Sequence, residues 1–249
     1  DGMGGHLGGA QASSKAVITL REFLSPQRLG NRPVDLVDLS VAIDAAATAV
    51  ASLASVDNPM SAPGTTLSGL MVLRTAEGPY WLSFNVGDSR AYVVGGGGIR
   101  QLTHDHSALQ EARDLAATSG APRVIPPANV VTKALGAGQV GSVKADYTIM
   151  PLEDGDRAVI CTDGVHGVLS DSRIHELVAD GDGPQGTADR LVRASLEAGT
   201  RDNATAVVVY AGTKSRVTLT MNVMNRMIQP VRPASIETAR RVPRREGSN

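Results

Sequence analysis

The longest regular pattern of apolar positions runs over residues 35–53. Leu36, Leu39, Ile43, Ala46, Val50 and Leu53 recur three or four residues apart, which puts them on one stripe of a long helix. A second helix is predicted over 10–24, with Ala16, Val17, Leu20 and Leu24 on one side and a stop at Ser25-Pro26. The period then changes. The runs "GTTLSGLMVL", "YWLSFNVGDS" and "RAYVVGGGGIRQLT" are short, β-prone and punctuated by glycine, so they read as antiparallel strands joined by tight turns. Residues 109–117 predict a helix, and the following "SGAPRVIPPAN" a proline-rich surface loop that does not continue it. Strand character resumes over 144–150 and 157–161. Residues 174–179 and 188–196 predict helices, and "NATAVVVYA" a buried strand. Helices first, strands in the middle and helices before a closing strand predict an α+β layered domain, not a βαβ repeat.

Composition narrows the class without naming a substrate. The 249 residues are 42% hydrophobic and 20% charged, enough for one domain with a real core plus a tail. The net charge of −1 gives no reason to expect nucleic acid. Its distribution is uneven: from Thr213 onward eight Lys/Arg stand against Glu237 and Glu246, so this stretch carries +6 and the remainder −7. The expectation is a domain over 1–212 and a basic, disordered tail over 213–249, read either as a solvated linker or as a surface for an acidic partner or membrane. The single cysteine, Cys161, excludes an internal disulfide and fits a reducing compartment. No window approaches the ~20 apolar residues of a membrane-spanning helix. There is no signal segment and no initial methionine, so the chain reads as cytoplasmic and cut at its front.

Four aspartates stand in contexts that composition does not require: Asp1 in "DGMGGH", Asp105 in "LTHDHS", Asp163 in "CTDGVHG" and Asp202 in "TRDNATAVVV". Asp163 follows one predicted strand, Asp202 precedes another, and Asp1 leads a glycine-rich stretch. Carboxylates at strand ends can converge on one rim of a sheet, where they repel unless a cation compensates them. Oxygen ligands suit magnesium, manganese or calcium, and no Cys/His cluster has zinc spacing. Taken singly, Asp-Gly and Asp-Asn are also ordinary turn formers.

In combination, "DGMGGH", "GTTL", "FNVGDSRAYVV", "LTHDHS", "VVTKALG", "GDRAVICTDGVHGVLSD" and "TRDNATAVVV", in this order, resemble the metal-dependent serine/threonine phosphatases of the protein phosphatase 2C family in their bacterial form. The resemblance spans 1–212. It implies a four-layer sandwich of two antiparallel β-sheets flanked by helices, and hydrolysis of phosphoserine and phosphothreonine in proteins. It implies two magnesium or manganese ions: Asp1 bridging both, the Gly2 carbonyl on one, and Asp163 and Asp202 on the other. A third, weaker ion is implied at Asp105 together with Asp163. Glycine at position 2 would then let the backbone approach the metal closely. The nucleophile implied is a metal-activated water, so no side-chain nucleophile is needed and Cys161 reads as a small buried hydrophobe. Phosphoprotein substrates and an opposing serine/threonine kinase follow as partners.

The pattern departs from the family at the front. Two strands that precede the "DGMGG" phrase in the family, with a phosphate-binding arginine and an acidic pair, have no counterpart before Asp1. The expectation is an N-terminally incomplete domain, with "RVTLTMNVMNRM" as a candidate replacement strand that lacks the acidic pair. Met3 stands where many eukaryotic members have histidine. His6 reads as a surface histidine at a helix entry, and His104, His106 and His166 either tune a metal site or are polar loop residues. Residues 109–130 match the family's variable flap. Two rival readings are a catalytically inactive binding or regulatory module of the same fold, and a hydrolase of small phosphoesters.

Overall fold

The computed structural model describes residues 1–3, 5–54, 62–119, 125–139, 142–181, 183–212 and 239–241, excluding the side chains of 5–7 and 239–241. The order is β1 (Gly2–Met3), α1 (Gly5–Phe23), α2 (Leu36–Ala51), β2 (Gly64–Thr65), β3 (Leu67–Thr75), β4 (Gly78–Val86), β5 (Arg90–Gly95) and β6 (Gly98–Gln101). It continues with α3 (Ala108–Ser119), β7 (Leu135–Gly136), β8 (Asp146–Pro151), β9 (Arg157–Cys161), α4 (Asp163–His166), α5 (Asp171–Ala179), α6 (Pro184–Glu197), β10 (Ala206–Tyr210) and β11 (Ala239–Arg241).

Two four-stranded sheets, β11-β8-β4-β3 and β10-β9-β5-β6, form the middle of the molecule. Successive side chains on a strand point to opposite faces, and this period sorts the core into three clusters. Leu82 on β4 faces outward with Leu39, Ile43, Ala46 and Val50 of α2 and with Ala12 and Ala16 of α1. Its neighbour Trp81 faces inward, with Val93 of β5, Met150 of β8 and Ala158 of β9. Tyr92 and Val94 of β5 and Val159 of β9 face the far side, against Ile174 and Val178 of α5 and Leu191 of α6. The layers are therefore helix, sheet, sheet, helix, as the family resemblance implies.

Helix α2 forms where its stripe predicts. Asp35 caps it, accepting from the Asp38 backbone, while the Asp38 side chain accepts from the Asp35 backbone. Helix α1 departs from prediction. It starts at Gly5, and its buried side is Ala12, Ala16 and Thr19, leaving Val17 at 48% exposed. Small residues face α2 here because the helices lie close together, and Val17 falls on the outer flank. The closing strand β10 is also not a buried strand. It lies at the edge of its sheet, with Val208 buried and Val207 exposed.

Two sheet features go beyond the predicted pair of antiparallel sheets. A third small sheet, β1-β2-β7, is built from two-residue strands, and β11 pairs with β8 in parallel, Ala239 to Arg241 against Tyr147 to Ile149. Three residues of the stretch expected to be a disordered tail thus form strand. The candidate replacement strand over 216–227 lies outside the described residues, as does the His6 side chain.

Candidate active site

The loops at one end of the two sheets carry the chemistry. Strand β1 holds Asp1 by its backbone: the Asp1 carbonyl accepts from the Thr66 amide at 2.8 Å and from Thr65 Oγ1 at 2.7 Å. Gly2 then crosses α1 at Gly9. A Cβ on Gly2 would overlap the Gly9 carbonyl, and one on Gly9 would stand 2.5 Å from the Gly2 carbonyl oxygen. The glycine at position 2 is therefore required by helix packing, a reason different from the close metal approach expected from sequence.

The turn from β4 to β5 brings Asp88 under this strand. Gly87 adopts φ +107°, a conformation glycine tolerates, and a Cβ there would also meet the Thr66 side chain. The turn is pinned on three sides. Ser89 Oγ and Thr66 Oγ1 share a hydrogen bond of 2.8 Å, Asn85 Nδ2 donates to the Gly87 carbonyl at 2.9 Å, and His166 Nε2 lies 3.0 Å from the Asp88 carbonyl. A carbonyl only accepts, so the His166 proton sits on Nε2.

Asp163 opens α4 directly after β9. Its Oδ1 is buried without a hydrogen-bond partner. Thr162 ties this helix to the loop of Asp202: its Oγ1 donates to the Asn203 carbonyl at 3.2 Å and accepts from the Thr205 amide at 3.1 Å. Gly164 permits the approach, because a Cβ there would overlap the Asn203 carbonyl. Asp202 itself is exposed, its Oδ1 accepting from the Asn203 amide at 2.8 Å.

The charges of Asp88, Asp163 and the Asp1 amino group act on one another, together with those of Asp105 and Arg90. Burial, then the charges of Asp163 and Asp105, push the Asp88 carboxyl up to about 6, against its own backbone amide and Arg90. Burial lowers the Asp1 α-amino group, opposed by Asp88 and Asp163. His166 is lowered by burial and by Arg90, against Asp105 and Asp163. Asp105 is tied to Arg90 in a two-pronged ion pair, with Nη2 to Oδ2 at 2.7 Å and Nε to Oδ1 at 2.9 Å.

Sequence reasoning named Asp1, Gly2, Asp105, Asp163 and Asp202 but missed Asp88, Arg90, Lys133 and Asp146. Asp88 and Arg90 lie in the quoted phrase "FNVGDSRAYVV", where Gly-Asp-Ser passes for a plain turn. Lys133 and Asp146 surround His106, which is 8% exposed. The Gly87 amide donates to His106 Nδ1 at 3.0 Å, so the neutral ring carries its proton on Nε2, 3.3 Å from Asp146 Oδ2. Lys133 Nζ stands 3.1 Å from the same nitrogen, and burial with this cation lowers the imidazole. His104 is different: it is a surface residue bound to Asp114 at 2.8 Å. Cys161 is 2% exposed on β9, and burial pushes its thiol up to about 12, as a small buried hydrophobe requires.

The donor chemistry suits a hard divalent cation at the Asp163 end. A buried carboxylate oxygen has no donor, and two further carboxylates lie near enough to be felt. Among the described residues, however, no three His, Cys, Asp or Glu side chains stand close enough together to hold an ion. The carboxylates are gathered on one rim without forming a closed cage.

The sequence profile of the family described as Protein phosphatase 2C matches residues 1–198. The chain belongs to this family. Relatives in the 2C family include the serine/threonine protein phosphatase PstP of Mycobacterium tuberculosis, 28% identical over 209 residues, covering 84% of this chain and 38% of the relative. The serine/threonine phosphatase stp of Listeria innocua is 26% identical over 211 residues, covering 84% and 81%. Among solved structures, the catalytic domain of PstP in complex with two manganese ions superposes with a TM-score of 0.67 at 30% identity, covering 84% of each chain. The α+β sandwich described above is thus the 2C phosphatase fold. The chain spans well under half of the mycobacterial relative's length.

Proposed function

We propose that this domain hydrolyses phosphoserine and phosphothreonine esters in proteins with the help of magnesium or manganese. The observation that carries the reading is the buried, donorless Oδ1 of Asp163, set between Asp88 and the Asp202 loop on the rim that also holds Asp1. Asp1, Asp163 and Asp202, with the Gly2 carbonyl, are the groups that would hold two ions. Such ions, when bound, lower the pKa of a water and neutralise phosphoryl charge.

The chain's own groups supply the frame for that chemistry. Thr162 and Gly164 fix the distance between the Asp163 helix and the Asp202 loop. Thr65 and Thr66 fix the Asp1 backbone. His166, holding the Asp88 carbonyl, keeps the β4–β5 turn against α4. No side chain is assigned as nucleophile; Cys161 stays protonated and buried.

Presence in a cytoplasmic compartment and an opposing serine/threonine kinase complete the proposal. No helix among the described residues is long and apolar enough to cross a membrane. The test is turnover of a phosphothreonine peptide and of p-nitrophenyl phosphate with added Mn²⁺, beside Asp163→Asn. Manganese-dependent turnover lost in the variant supports the reading. A folded chain that binds phosphopeptide without turnover supports the inactive module instead.

A further inference from the structure

Asp105 is 6% exposed, on the loop that follows β6, and both carboxylate oxygens are engaged. Oδ1 accepts from Arg90 Nε at 2.9 Å and from Gln101 Nε2 at 3.0 Å. Oδ2 accepts from Arg90 Nη2 at 2.7 Å and from Arg90 Nε at 3.0 Å. An ionised carboxylate offers about four lone-pair positions, and three N–H groups already make four contacts to them, the single Arg90 Nε–H being shared by both oxygens. Arg90 is committed in turn. Its Nη1 donates to the hydroxyl of Tyr92 at 3.1 Å, and Tyr92 is fully buried on β5. Releasing Asp105 to a metal ion would strip its partner from a guanidinium that cannot lose its proton.

We propose that Asp105 is the positioning partner of Arg90 and is not a ligand of a third metal ion. The fork holds a fixed cation whose charge is felt at Asp88, and Asp105 balances that charge. The identity of the two remaining ions rests on the phosphatase reading; the pairing does not. Removing the Asp105 charge leaves Arg90 as an uncompensated cation near the remaining ligands. The number of bound ions then stays the same while each is held more weakly. A third-ion ligand predicts the opposite: one ion lost per chain, and the others unchanged.

Calorimetric titration of the full chain with Mn²⁺ alone separates these outcomes, using Asp105→Asn, Arg90→Gln and the double variant. The expected result is equal stoichiometry in the chain and Asp105→Asn, with a dissociation constant raised on the order of tenfold in the variant. The double variant, which carries neither charge, returns to within about threefold of the chain. Loss of one ion in Asp105→Asn, or a double variant no tighter than the single one, overturns the proposal. If Asp105→Asn does not fold, Asp105→Glu keeps the charge and is expected to keep both stoichiometry and affinity. A thermal-unfolding cycle on the same four proteins is independent of metal. Strongly non-additive shifts in melting temperature support the pair, and additive shifts overturn it. If the chain takes up no Mn²⁺ the phosphatase reading fails, while this cycle still decides the pairing.

Discussion

Asp88 offers a direct test of how crowded the carboxylate rim is. Its pKa rises from the ordinary 3.8 to about 6 through burial and its acidic neighbours. Between those values the folded protein binds more protons than the unfolded chain. Stability from this group is therefore present at low pH and is lost as pH rises through about 6. A shift of about two pH units corresponds to about 3 kcal/mol. The buried imidazoles His106 and His166 have the opposite sign. Both are lowered, so the penalty for charging them is relieved as pH rises toward neutrality. A bare stability profile would mix the two trends, but a difference profile does not. Urea unfolding of the chain and of Asp88→Asn, in chelator, should show the advantage of the Asn form growing by about 3 kcal/mol between about pH 4 and pH 7. His166 bonds the backbone of residue 88, so its contribution should cancel in the difference. A difference that stays flat within about 0.5 kcal/mol over that range would refute the crowding argument.

Gly164→Ala should push α4 away from the Asn203 carbonyl, cost about 2 kcal/mol and weaken Mn²⁺ binding, whereas Gly96→Ala, with open space around the added carbon, should cost nothing measurable in the same melts. Cys161 should resist a thiol reagent in the native chain and react only at the rate of unfolding; rapid native labelling would contradict its burial. Ala16→Asp should cost about 3 kcal/mol or more in chemical unfolding, against less than about 0.5 kcal/mol for Val17→Asp. Equal effects would show that α1 turns a different face toward α2.

Elements set by strong local periodicity were legible in the sequence. Helix α2 follows its own stripe, and the β3–β4 and β5–β6 hairpins follow their glycine-punctuated β-prone runs. What was not legible depends on who the neighbour is. Val17 looks as apolar as Ala16, but only the closeness of α1 and α2 decides which of them is covered. The aspartates at strand ends could be listed because Asp-Gly and Asp-Asn stand out, while Asp88 hid inside a turn that needs no further explanation. Its significance comes from Asp163, 75 positions later in the chain. Asp105 was visible, but its engagement by Arg90 and Gln101 was not, because hydrogen-bond partners across a hairpin leave no pattern in one sequence. The small sheet of β1, β2 and β7 is held together by two-residue strands, too short for any alternation to announce them.

The crossing of Gly2 over Gly9 has a consequence for how such a domain tolerates change. Asp1 is registered to the rest of the molecule mostly through main-chain atoms, its carbonyl on the Thr66 amide and a backbone-on-backbone contact with α1, with one side chain, the Thr65 hydroxyl, added on the same carbonyl. Main-chain atoms are common to every residue type. The outer surface of α1, including Val17 and Ile18, can therefore be rewritten by mutation without displacing the aspartate. On α1 and β1 that freedom ends at the two glycines of the crossing, and across from them at Thr65, whose hydroxyl holds the same carbonyl.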